Sequence, residues 1–186
     1  MPSTNDRDEI RRTYLAEYGS RPPTTARGMH HIALLSSDVR RTIEFYQRLL
    51  EFPLTDIFEN RDYAGSNHFF FDIGGGSLLA FFDMPGLNLG PYAEVLGGLH
   101  HLAISVAPDR WEYLGGKLDA AGVEYLLETN VSLYFRAPDR TGPSDPRIAH
   151  QDIEAAEQLD RRGAVPHRRD ATCGTHPPIE PSRSRP

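Results

Sequence analysis

Residues 29–35 form an apolar, strand-like run opened by two histidines, and strand geometry puts Met29, His31, Ala33 and Leu35 on one face. Val39, Ile43, Tyr46, Leu49 and Leu50 then recur at three- and four-residue spacing, which predicts a helix with one apolar stripe. Ser37 or Asp38 stands where that helix needs a cap. Strand patterns follow at residues 53–61, 67–73 and 77–83, the last two joined by the turn Gly74-Gly75-Gly76. The predicted order is β-α-β-β-β. A linker rich in proline and glycine spans residues 84–98, and the order restarts. Residues 99–106 place Leu99, His101, Ala103 and Ser105 on one face of a strand. Pro108 and Asp109 open a helix with Trp111, Leu114 and Leu118 on its core side, and Gly122 ends it. Strands are predicted at 123–128 and 131–136. A fourth strand is missing from the pattern, and residues 148–159 read as a short helix. Residues 1–28 form an arm. Its helix, over 8–18, is expected to pack Ile10, Tyr14, Leu15 and Tyr18 on the domain surface or on a partner subunit.

The two halves share a tetrapeptide, His30-His31-Ile32-Ala33 and His100-His101-Leu102-Ala103, so one supersecondary unit is used twice. A single strand histidine is ordinarily a packed, hydrogen-bonded residue. Two at matching repeat positions make His31 and His101 candidate metal ligands. His30 and His100 alternate onto the opposite face and read as supporting or surface residues. His68, in a strand rich in phenylalanine, either lines a pocket or packs. Phe69, Phe71, Phe81 and Phe82 are core residues, some of which also wall an apolar substrate cavity.

The chain has 186 residues, enough for one domain with extensions. A formal charge of −6 gives no reason to expect nucleic acid or an anionic membrane as partner. No apolar run approaches the length of a membrane span. The polar N-terminus does not read as a secretory signal. Cys173 is the only cysteine, which excludes an internal disulfide and suits a reducing cytoplasm.

Paired β-α-β-β-β units with these residues resemble the vicinal oxygen chelate superfamily, which includes glyoxalases, extradiol ring-cleaving dioxygenases, fosfomycin-modifying enzymes and bleomycin-binding proteins. The resemblance covers residues 29–139, as modules 29–84 and 99–136. It rests on His31-Ile-Ala-Leu-Leu-Ser-Ser-Asp38, Thr42-Ile-Glu-Phe-Tyr46, Leu49-Leu50-Glu51-Phe52, His101-Leu-Ala-Ile-Ser-Val106 and Leu133-Tyr-Phe-Arg-Ala-Pro-Asp139. It implies an α+β fold in which the two modules form a glyoxalase-like half-barrel cleft. It also implies that His31 and His101 are metal ligands and that a carboxylate on the last strand of the second module joins them. Ala80 stands where some members carry an acid in the first module. The pattern is therefore closer to the two-His-one-carboxylate iron sites, which leave coordination positions open for a substrate with adjacent oxygens. Fe(II) or Mn(II) is the expected ion, with Zn(II) the alternative. His68, Phe69, Phe71, Phe81 and Tyr134 are the expected substrate-pocket residues.

The resemblance breaks after Asp139. Pro143 and Pro146 do not both fit a central strand, and no Glu follows until Glu154, in a helix-like run. Asp145 is near the ligand position but in the wrong context, so no third ligand is assigned. The proline- and arginine-rich residues 140–186 read as a disordered tail. They are either a divergent terminus or GC-rich coding sequence read out of frame, the second reading being preferred. The expected function is metal-dependent chemistry of the ring-cleaving dioxygenase or glyoxalase type on a small substrate, impaired in this chain and with weak metal binding. The alternatives are a metal-free module that sequesters a small molecule and a non-functional gene product. The expected partner is a small-molecule substrate; a homodimer is compatible with the sequence, which does not itself set the oligomeric state.

Overall fold

The structure is a computed structural model that describes residues 4–90, 92, 93, 95–128, 132–139 and, for their backbone, 150–155. It contains two four-stranded sheets with the orders β1-β4-β3-β2 and β5-β8-β7-β6. The first comprises β1 (His31–Ser36), β2 (Leu54–Glu59), β3 (Asn67–Asp72) and β4 (Leu78–Asp83). The second comprises β5 (His101–Val106), β6 (Tyr125–Glu128), β7 (Ser132–Phe135) and β8 (His150–Ala155). In each sheet the first strand pairs parallel with the last, and the remaining pairs are antiparallel. The repeat in the sequence is thus a repeat of topology, in an α+β fold.

One expectation is corrected. The fourth strand of the second module is present as β8, where the sequence pattern predicts a helix and no final strand. The observed strand begins after both Pro143 and Pro146, so neither proline interrupts its ladder. The segment carries Ile153 opposite Ile104 and Leu133, two buried residues, so pairing with two core strands outweighs its local helical spacing. The expected disorder of residues 140–149 and 156–186 lies outside the described residues.

Helix α1 (Thr4–Tyr14) begins earlier than predicted, and Ile10, Tyr14 and Leu15 are each more than half exposed, so the arm does not bury its stripe on the domain. Helix α2 (Val39–Ile43) starts where Asp38 accepts a hydrogen bond from the Arg41 N–H at 2.9 Å, and continues as a π-helical segment, Glu44–Leu49. Glu51 ends it with φ of 60°, a left-handed conformation, and the Phe52 N–H returns to the Tyr46 carbonyl at 2.9 Å. Helix α3 (Pro108–Ala120) carries Pro108 in its first turn, and Gly122 follows it at φ of 67°.

One core joins the two modules. Tyr46, Leu50, Phe69, Phe71, Leu79 and Phe81 from the first meet Leu114, Leu118, Leu133 and Phe135 from the second. Phe45 reaches Phe135 with ring centroids 6.0 Å apart. At the surface of the same junction Glu51 bonds Lys117 at 2.9 Å and Tyr113 at 2.7 Å, and pairs with Arg110. These three donors hold the Glu51 carboxyl at about 2, well below the ordinary carboxylate range.

Candidate metal and substrate site

Strand register decides which side chains share a face. His31, Ala33 and Leu35 on β1 align with Leu78, Ala80 and Phe82 on β4, and Phe82 and Ala80 align with His68 and Phe70 on β3. These residues form one face of the first sheet, away from α2. The other face carries Phe69, Phe71, Leu79 and Phe81, packed on Tyr46 with ring centroids 5.3 Å from Phe71 and 5.0 Å from Phe81. Phe69 and Phe71 have no exposed surface, so they serve the core and are corrected as pocket residues. The aromatic rings beside the histidines are Phe70 and Phe82. Alternation along β3 was the available signal, since Phe70 shares the parity of His68 and Phe69 does not.

His31 meets Phe70 edge-on with centroids 6.1 Å apart. His68 stacks on Phe82 at 3.7 Å and tilts against Phe70 at 4.2 Å. The His68 Nε2 is buried and has no hydrogen-bond partner among the described residues. Burial, and secondarily the charge of His31, push the His68 imidazole below its ordinary pKa and favour the neutral ring.

His30 lies immediately before β1, so strand alternation does not govern it. Its Nδ1 is 2.7 Å from the His31 Nδ1. His100 and His101 repeat the contact at 2.7 Å. The contact engages the Nδ1 of each strand histidine, and imidazole nitrogen is a donor that suits a borderline divalent ion.

The second sheet adds an acid to this pattern at the level of the backbone. His101 aligns with His150, Ala103 with Asp152, and Ser105 with Glu154. In the first sheet Ala33 aligns with Ala80. Asp152 is therefore the topological counterpart of Ala80, the position at which an acid was sought in the first module. Tyr134 on β7 is half-buried and aligns with Asp152. Sequence reasoning missed Asp152 because it took the segment for a helix; the spacing of the repeat, carried across residues 140–149, was the only signal for it. Among the described residues no three or more His, Cys, Asp or Glu side chains gather into a metal-holding group. Asp145 lies outside the described residues.

A separate cavity of about 750 Å³ opens beside β1. Ser36, Thr42, Tyr46, Phe81, Asp83 and Asp139 are among its lining residues, and His31, His68 and His101 are not. The Arg41 guanidinium bonds the Asp139 carboxylate at 2.8 Å at its edge. Of the expected pocket residues, only Phe81 lines it.

No helix among the described residues is long and apolar enough to cross a membrane. Comparison with known proteins agrees with the topology. Glyoxalase I of Leishmania major, described as trypanothione-dependent, is 16% identical, with a TM-score of 0.57 over 74% of this chain and 92% of that one. A glyoxylase/bleomycin resistance protein/dioxygenase domain from Frankia sp. EAN1pec is 17% identical, with a TM-score of 0.57 over 74% of this chain and 99% of that one. A mutant of the fosfomycin resistance protein FosX from Listeria monocytogenes, complexed with Mn(II) and 1S,2S-dihydroxypropylphosphonic acid, is 19% identical. Its TM-score is 0.52 over 74% of this chain and 98% of that one. No curated protein matches the chain in sequence. The model of the glyoxalase/bleomycin resistance protein/dioxygenase superfamily matches residues 28–141, and the chain belongs to that superfamily.

Proposed function

We propose that the protein is a metal-dependent enzyme acting on a small substrate with two adjacent oxygens, by chemistry of the ring-cleaving dioxygenase or glyoxalase type. The observation that carries this reading is the duplicated strand histidine, each Nδ1 held by a preceding histidine at 2.7 Å. His31 and His101 are the proposed nitrogen ligands. Asp152, at the register position beside Ala103, is the proposed carboxylate. The expectation of weak metal binding rested on a missing strand, and β8 removes that premise. Mn(II), which accompanies a vicinal diol in the FosX complex, is the ion of first choice, with Fe(II) next. When bound, such an ion supplies Lewis acidity to the substrate oxygens. The chain's own contribution is an apolar wall, Phe70 and Phe82, with the His68 ring, kept neutral by burial, stacked against it. Leu35 and Phe58 leave the same sheet half exposed, which suits a homodimer that covers this face.

Turnover of catechols, followed by oxygen uptake, and of glutathione hemithioacetals, followed by absorbance, tests the reading on protein loaded with Mn(II) or Fe(II). Activity on one class, lost in His31→Ala and His101→Ala, supports it. A second reading, metal-free sequestration of a small molecule, is favoured by the cavity of about 750 Å³ that none of the three histidines lines. Ligand binding that persists in chelator, with no metal uptake, would establish that reading instead.

A further inference from the structure

His30 and His100 sit next to the proposed ligands, and their geometry is specific. The His30 and His31 rings are 5.0 Å apart at 74°, and the His100 and His101 rings are 5.0 Å apart at 79°. An Nδ1···Nδ1 distance of 2.7 Å is that of a hydrogen bond, in which one ring donates and the other accepts according to tautomer. The placement of His30 is not left to a loose terminus. Its carbonyl accepts from the Leu78 N–H at 3.0 Å, and the neighbouring Met29 carbonyl accepts from the Ser77 hydroxyl at 2.6 Å. The chain just ahead of β1 is thus tied to β4, and the imidazole starts from a fixed backbone.

A neutral imidazole carries its proton on one nitrogen only. If His30 holds the shared proton, the His31 proton is on Nε2 and the ring has no lone pair for an ion. If His31 holds it, Nε2 is bare. We propose that His30 is a positioning residue that accepts the Nδ1 proton of His31 and so presents an unprotonated Nε2 to a divalent cation. The recurrence of one geometry in two modules that differ at most other positions supports a selected arrangement. The role rests on the metal reading given above, and it is separable from that reading because the tautomer exists without metal.

The test uses the full chain labelled with ¹⁵N histidine. Two-bond ¹H–¹⁵N correlation on the metal-free protein is expected to show His31 protonated at Nδ1, and to show His30→Phe shifting it toward the Nε2-protonated form. Mn(II) titration by calorimetry is expected to show His30→Phe binding roughly tenfold or more weakly, the range for lost ligand-orienting partners. His30→Asn, whose carbonyl oxygen takes the place of the Nδ1 acceptor, is expected to bind within about threefold of wild type, since the orienting partner is kept. Nε2-protonated His31 in the wild-type protein would overturn the proposal, as would unchanged Mn(II) affinity in a folded His30→Phe. The expected tautomer with no Mn(II) uptake by the wild type would overturn the metal reading, and the role of His30 with it.

Discussion

Leu118 has no exposed surface and touches the junction of both modules, whereas Leu35 is 50% exposed on the open face of the first sheet. The same chemical deletion therefore has different consequences. Leu118→Ala is expected to cost about 2–5 kcal/mol in urea unfolding, the range for a leucine cut back in a packed core. Leu35→Ala should fall within about 0.5 kcal/mol, as surface changes do. His68 presents the opposite case. Its ring packs well, but its buried Nε2 lacks a partner among the described residues, and such a group costs stability. His68→Phe keeps the stack on Phe82 and removes the orphan nitrogen, so it is expected to stabilise the metal-free protein by about 1 kcal/mol. A loss of stability in the same urea measurement would show that Nε2 has a structural partner. Stability gained at the expense of turnover marks a residue retained for function.

At the scale of elements, β8 is the strand on which the proposed site depends, and it lies inside its sheet, between β5 and β7. Ile153→Pro removes a ladder donor from its centre and is expected to unfold the second module first. Hydrogen exchange should then lose protection in β5 and β7 while β1, β3 and β4 retain theirs. Unchanged protection in β5 would contradict the pairing. This strand also shows where sequence reading stopped. The apolar runs that follow His31 and His101, the Asp38 cap, the Gly74-Gly75-Gly76 turn and the Gly122 terminus are local signals, and each placed its element to within a few residues. β8 has no such signal. His150-Gln-Asp-Ile-Glu-Ala155 holds one large apolar residue, and its conformation comes from two partners distant in sequence. The proposed ligands divide in the same way. His31 and His101 are marked by the repeat in the sequence. Asp152 is not, because a register position exists only once strands are paired. Phe69 and Phe71 face the core and Phe70 faces the histidines, a difference of parity within a correctly placed strand.

At the scale of the molecule, two modules share one core, and Glu51 ties them at the surface through Lys117, Tyr113 and Arg110. The Glu51 pKa falls on folding from 4.5 to about 2, so its contribution to stability is present above pH 4.5 and is lost as the pH falls toward 2. Glu51→Gln should lack that component. Unfolding midpoints of wild type and variant should converge as the pH drops through this window, and curves that stay parallel would show that the tie is inert. The central claim, that both modules contribute to one metal site, is tested most directly by Mn(II) calorimetry on the full chain and on His31→Ala, His101→Ala and Asp152→Asn. One ion per chain is expected for the wild type, no measurable binding for either histidine variant, and clear weakening for Asp152→Asn. Wild-type protein that takes up no Mn(II) or Fe(II), or folded histidine variants that bind as the wild type does, would contradict it.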